Sequence, residues 1–176
     1  MRHRTLFAVF AAVLLLIHLS PTWADDKVTL KSKDGQTQIV LPAGWVGQDS
    51  TNSSAVLEGH NEDANAFVMV VIADRSDPYA TVGEYASDRR NEVLSHLVKS
   101  KCSEPREFQW NDYKAVQYEI HGIFAASKIP FGYYLTVVQV GRHYLEVVSW
   151  AMEKHFEENA QTLRDAVSNV TYKGDQ

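Results

Sequence analysis

The sequence predicts an α+β fold, a three-layer α/β/α sandwich in which a mostly antiparallel sheet is flanked by two main helices. Three observations carry this. Residues 133–151, YYLTVVQVGRHYLEVVSWA, read as a long β-hairpin turning on Gly141 and Arg142, with Gly first in a type II′ turn. Both faces of that hairpin are largely apolar, so each must be covered. Two further stretches, 81–100 and 154–170, repeat apolar residues at helical spacing and supply the cover. With Val140 opposite His143, residues Tyr133, Leu135, Val137 and Gln139 share a face with Tyr144, Glu146, Val148 and Trp150. Tyr134, Thr136 and Val138 share the other with Leu145, Val147 and Ser149.

The first 24 residues read differently from the rest. Arg2 and Arg4 precede an apolar run at 6–19, broken only by His18, and small residues stand at Thr22 and Ala24. This is the pattern of a Sec-type signal peptide cut between Ala24 and Asp25. The run is too short to span hydrocarbon, which takes about 20 residues. Residues 25–176 are then expected as a single domain in a bacterial periplasm or outside the cell. Loss of residues 1–24 removes two Arg and no acid, leaving 15 basic against 22 acidic side chains, a net charge of −7. That charge argues against nucleic acid and against an anionic membrane surface.

The mature chain opens with a β-like piece at 27–30, an Asp34-Gly35 turn and a strand at 37–41. Pro42-Ala43-Gly44-Trp45 ends it, Gly44 allowing a sharp bend and Trp45 anchoring it on the core. Residues 47–54 read as a polar loop. Strands follow at 55–58 and 66–73, joined by the polar GHNEDAN. The second, AFVMVVIA, is apolar on both faces and belongs at the centre of a sheet. Thr81 with Glu84 forms a capping box for the first helix, which runs to about Ser100. Ser103-Glu104-Pro105 turns the chain. A hairpin at 106–110 and 113–123 pivots on Asn111-Asp112. Its second strand sends Val116, Tyr118 and Ile120 to one face and Gln117, Glu119 and His121 to the other, which places it near an edge. Phe156, Ala160, Leu163, Val167 and Val170 stripe the last helix, and the tail from 172 is polar.

The words LPAGW (41–45), TVGEYASDRR (81–90), NDYKAVQYEIHG (111–122) and GYYLTVVQVGRHYLEVVSWAMEKHFEENAQTLRDAV (132–167), in this order, resemble the PsbP-like superfamily, which includes bacterial DcrB-type secreted proteins. They cover most of residues 37–170. All are turns, core strands and helix stripes, so the resemblance bears on fold more than on activity. It implies a non-catalytic binding or assembly protein whose partner is an envelope protein or peptide. It implies no cofactor, because no residue here matches a ligand set.

The chemistry-bearing residues fit that picture. There is no HExxH and no G-x-S-x-G, so no catalytic or metal-ligating residue is expected. His60, Glu62 and Asp63 form an acidic loop that would hold a cation weakly or be a solvated hairpin tip. Glu119 and His121 stand two apart, as a base and its orienter would. They are the core of the alternative, a small periplasmic hydrolase or metal-dependent enzyme. Cys102, the only cysteine, allows no intramolecular disulfide, leaving a free thiol or an intermolecular link. Lys99 and Lys101 beside it would lower its pKa. Tyr133, Tyr144 and Trp150, with Glu146 among them, make an aromatic patch suited to recognition, unless the C-terminal helix covers it as core. The candidate partner-binding residues are therefore Gln117, Glu119, His121, Tyr133, Tyr144, Glu146 and Trp150.

Overall fold

A computed structural model of the chain describes residues 26–49, 53–74 and 79–174; the expected cleavage site at Ala24 and Asp25 lies outside them. In chain order the described elements are β1 (Lys27–Lys31), β2 (Thr37–Pro42), β3 (Val46–Gln48), β4 (Ala55–Asn61), β5 (Ala66–Asp74), α1 (Val82–Ser95), β6 (Leu97–Cys102), β7 (Arg106–Trp110), β8 (Tyr113–Phe124), β9 (Pro130–Val140), β10 (His143–Met152), α2 (Glu153–Asp165), a 3₁₀ turn (Ala166–Asn169) and β11 (Val170–Tyr172). A large sheet runs in the order β3-β4-β5-β10-β9-β8-β6, with β7 also on β8, and a small one in the order β1-β2-β11. Every pairing is antiparallel.

The β9–β10 hairpin lies at the middle of the large sheet in the expected register, Val140 opposite His143 and Tyr133 opposite Trp150. Gly141 holds φ +56 in the turn, where a β-carbon would strain the backbone. One face of the hairpin, here called the front, carries Leu135, Val137, Tyr144 and Val148 into a cluster with Val82, Tyr85 and Ala86 of α1. The back face carries Tyr134, Val138, Leu145 and Val147 into a second cluster with Phe156 and Leu163 of α2 and Ile39 and Leu41 of β2. The third layer is therefore mixed: α2 and the small sheet share the back. Trp110 pins this layer, donating from its indole nitrogen to the Val167 carbonyl at 2.8 Å.

Four boundaries differ from the sequence reading. The first helix stops at Ser95 rather than near Ser100, and Leu97–Cys102 is strand β6 on β8. No Gly or Pro marks the stop; pairing to β8 overrides a helix-compatible segment, and Lys99 at φ +53 accompanies a break in register between Val98 and Lys101. The polar stretch from Gly47 begins inside β3, and the strand before GHNEDAN continues to Asn61, so the turn is only 62–65. The last helix ends at Asp165. The apolar stripe outlives it because Val167 and Val170 stay buried, the first in the 3₁₀ turn and the second in β11. The first part of the polar tail, Tyr172, closes β11 onto Thr37 of β2.

Leu163 is 1% exposed, so Leu163→Ala is expected to cost about 2–5 kcal/mol in denaturant melts. Gly132 lies under the Phe156 ring, where an added β-carbon would stand 2.4 Å from it. Gly132→Ala should destabilise as well, and Phe156→Leu in the same chain should recover part of the loss. A loss below about 0.5 kcal/mol for Leu163→Ala would mean α2 is not docked as described.

Candidate functional site

The front face is built in two zones. In the first, α1 sits on β6, β8 and β9. Its start is set by Thr81, whose hydroxyl accepts from the Glu84 N–H at 3.2 Å, while the Glu84 carboxylate accepts from the Ala80 N–H at 2.8 Å. That phase points Tyr85 at the sheet. Its ring stacks on Tyr144 at 4.0 Å between centroids, and its hydroxyl donates to Glu146. Tyr144 is fully buried there and Glu146 is 8% exposed. Burial pushes the Glu146 carboxyl above its ordinary value; the Tyr85 hydrogen bond and the Arg89 charge pull the other way without cancelling it.

The second zone lies beyond α1. Opposed residues fall in one cross-strand row: Val46 on His60, His60 on Phe67, Phe67 on Trp150, Trp150 on Tyr133. The rings stack across it, with centroid separations of 6.4 Å for His60 and Phe67, 5.3 Å for Phe67 and Trp150, and 6.4 Å for Trp150 and Tyr133. These four rings are half-buried, and Val46 at the sheet edge is 50% exposed. The row continues through buried Ile120 to exposed Cys102. Burial raises the Tyr133 phenol to about 12, so it stays a neutral donor.

The aromatic patch read from the sequence thus divides. Tyr133 and Trp150 belong to the accessible row. Tyr144 belongs to the core, under α1 rather than under the C-terminal helix. The face assignment was right, but the covering helix is the first one, because α2 lands on the Tyr134 side with Phe156 against that ring at 5.3 Å. Phe67 and Tyr85 were missed, since each joins the face through a pairing or packing distant in sequence, and His60 was assigned to the acidic loop rather than to this row.

Gln117, Glu119 and His121 are on the back of β8, but not as a free polar face. Gln117 is 3% exposed and donates to the Thr136 hydroxyl at 2.8 Å and the Arg164 carbonyl at 3.1 Å. Glu119 accepts from the Tyr134 hydroxyl at 2.8 Å and lies 3.7 Å from Arg164. His121 stands between two carboxylates, 3.0 Å from Glu119 through Nε2 and 3.0 Å from Glu153 through Nδ1. Together they clamp both ends of α2 to the sheet, His121 through Glu153 at its start and Gln117 and Glu119 through Arg164 in its last turn. A general base needs a free lone pair; here both ring nitrogens face acceptors, which suits the imidazolium. Burial disfavours that charge, but the two carboxylates outweigh it and hold His121 above its ordinary value. Glu119 is likewise penalised by burial, yet hydrogen bonds from His121 and Tyr134 hold it below its ordinary value.

His60 is a half-buried strand residue rather than a loop residue, its Nε2 3.9 Å from Glu62. Glu62 and Asp63 are exposed in the turn beside it. Among the described residues no three His, Cys, Asp or Glu side chains are grouped to hold a metal ion. Cys102 is exposed, and its thiol lies above the ordinary value, not below. Burial of the sulfur dominates, Arg90 opposes it only in part, and neither lysine acts on it.

No known protein-family profile matches the chain, and neither does any curated protein sequence. Solved structures do. Cyanobacterial PsbP (CyanoP) from Synechocystis sp. PCC 6803 superposes with a TM-score of 0.60 at 10% identity, covering 89% of this chain and 98% of that one. The fold is PsbP-like. The same PsbP-like arrangement is found in the Saccharomyces cerevisiae Ran-binding protein Mog1p, with a TM-score of 0.61 at 10% identity and coverage of 85% and 97%. It is found again in LpqN, involved in cell envelope biogenesis of Mycobacterium tuberculosis, with a TM-score of 0.55 at 11% identity and coverage of 83% and 90%.

The clamp gives a pH signature. A raised His121 contributes stability that is complete below its unfolded value of 6.5 and is lost as pH rises through the folded one. A lowered Glu119 contributes stability that is complete above 4.5 and is lost as pH falls through its folded value. The stability gap between wild type and His121→Ala should therefore be widest between those two values and narrow as the pH rises through the folded His121 value. Urea melts across that range check it; a gap that does not change with pH would contradict the ion-pair account.

Proposed function

We propose that this chain is a non-catalytic binding or assembly protein of the bacterial envelope, of the DcrB type, which docks another envelope protein or peptide on the front face of its large sheet. The observation that carries this reading is the aromatic row His60–Phe67–Trp150–Tyr133, half-exposed and spanning four strands beside the edge residue Val46. Tyr and Trp offer large contact area at low entropic cost, with a polar tip for the rim. The exposed Glu62 and Asp63 at the end of β4, with the net charge of −7 after signal removal, favour a partner with basic groups. The PsbP-like structures add support, since one of those proteins is described as Ran-binding and another as involved in cell envelope biogenesis. The occupied nitrogens of His121 weigh against the hydrolase alternative. Export rests on the leader pattern, and no helix of the described residues is long and apolar enough to cross a membrane.

Two outcomes are expected. N-terminal sequencing of the exported protein should begin at Asp25. A photo-crosslinking residue in place of Phe67 should trap a discrete partner in intact cells, whereas one in place of Gln161, exposed on α2 at the back, should not. Equal trapping from both positions would remove the front face as the docking surface.

A further inference from the structure

The aromatic row adjoins a groove of about 560 Å³ between the margin of α1 and the sheet. Met69 and Val148 line it, each two residues along the strand from Phe67 and Trp150, so groove and row are continuous on one face. Its floor is apolar, Met69, Val71, Leu135 and Val148, except at Glu146. That carboxyl is 8% exposed and takes a hydrogen bond from one neutral donor, Tyr85. A buried carboxylate without a counter-charge is costly. Arg89 faces it from α1 but is already held by Asp88 at 2.7 Å and Glu92 at 2.5 Å. Among the described residues no ion pair reaches Glu146. With Glu146 ionised, the described residues of this cluster set one positive charge, Arg89, against three negative ones, Asp88, Glu92 and Glu146. At the mouth, half-buried Tyr79 meets Tyr85 edge to face at 5.2 Å; the Tyr85 ring itself is taken, stacked on Tyr144 and lying under the Arg89 guanidinium at 5.5 Å.

Resting on the docking reading above, we propose that this groove receives a lysine side chain of the partner. Its four-carbon stem lies along Met69, Val71 and Val148, and its ammonium reaches Glu146. Lysine suits the site better than arginine: the stem matches an apolar floor and the compact ammonium brings three donors to one carboxylate, whereas a guanidinium would crowd Arg89. The aromatic row then takes the apolar residues that flank the lysine.

The test is an NMR titration of the folded protein with acetyl-Phe-Lys-Phe-amide and with its norleucine counterpart. The lysine peptide should bind about tenfold tighter or better, moving the signals of Glu146, Tyr85 and Val148, while both peptides move those of Phe67 and Trp150. Glu146→Gln should erase the lysine preference and keep the Phe67 and Trp150 shifts. If that variant unfolds, the comparison of the two peptides on the wild-type protein decides, with Tyr85→Phe as the second variant, expected to weaken only the lysine peptide. Equal affinity of the two peptides, a lysine preference that survives Glu146→Gln, or no binding of the lysine peptide up to millimolar concentration would each overturn the inference. Shifts at Phe67 and Trp150 without a lysine preference would overturn the groove alone and leave the docking face standing. A lysine preference without those shifts would retain the groove and remove the aromatic row from the docking surface.

Discussion

The structure depends on the two-sided burial of the β9–β10 hairpin. Leu135, Val137, Val138, Leu145 and Val147 are each exposed by 1% or less, which no hairpin achieves alone in water. One face therefore needs α1 and the other needs α2 with the small sheet, and the strands on either side inherit their orientation from this register. Even the polar groups on these strands follow it. Ser149 donates to the Leu163 carbonyl at 2.6 Å and Gln117 to the Arg164 carbonyl at 3.1 Å, so the buried hydroxyl and amide join the sheet to α2 instead of weakening the core.

That constraint also divides labour between the two faces. The back is closed by a complete layer, whose polar contacts, from Gln117 to His121, are spent on holding α2. Among the described residues the front is covered only where α1 reaches, over the β6–β8–β9 side. What remains over β3, β4, β5 and β10 is a half-covered sheet face, with an acid at its inner boundary and rings across its outer part. The asymmetry follows from helix number: one helix is narrower than a sheet of seven strands in sequence of pairing.

Much of the fold was legible in the sequence because its signals are local. The Gly141 turn, the Asn111 turn at φ +52, the Thr81 cap and the stripe of Phe156 and Leu163 each sit within a few residues of what they determine. The register of the central hairpin followed from its two-residue turn, and alternation then gave the faces. The site was less legible. Tyr133 and Trp150 could be paired from their hairpin, but Phe67 joins them through β5 and β10, a pairing that no turn announces, and His60 follows only once the strand before GHNEDAN is extended to Asn61. Gln117, Glu119 and His121 alternate as an outer face should, yet that face meets α2. Strand periodicity shows which residues share a side but not what lies over that side. The end of α1 was lost for a similar reason, since nothing in residues 96–102 forbids helix and only β8 makes them a strand.

The small sheet ties together strands far apart in sequence: Ile39 of β2 pairs with Val170 of β11, 131 positions later. A closure over so long a loop comes late in folding, because its entropy must be met before the contact forms. The order of assembly is thereby written into the topology. Until β11 pairs with it, β2 has β1 on one side and an open edge on the other. A chain shortened before Val170 would keep its main sheet and yet carry an unpaired strand into the solvent, the kind of exposed edge on which other chains aggregate. β11 thus serves as the cover of an edge that β2 would otherwise leave open.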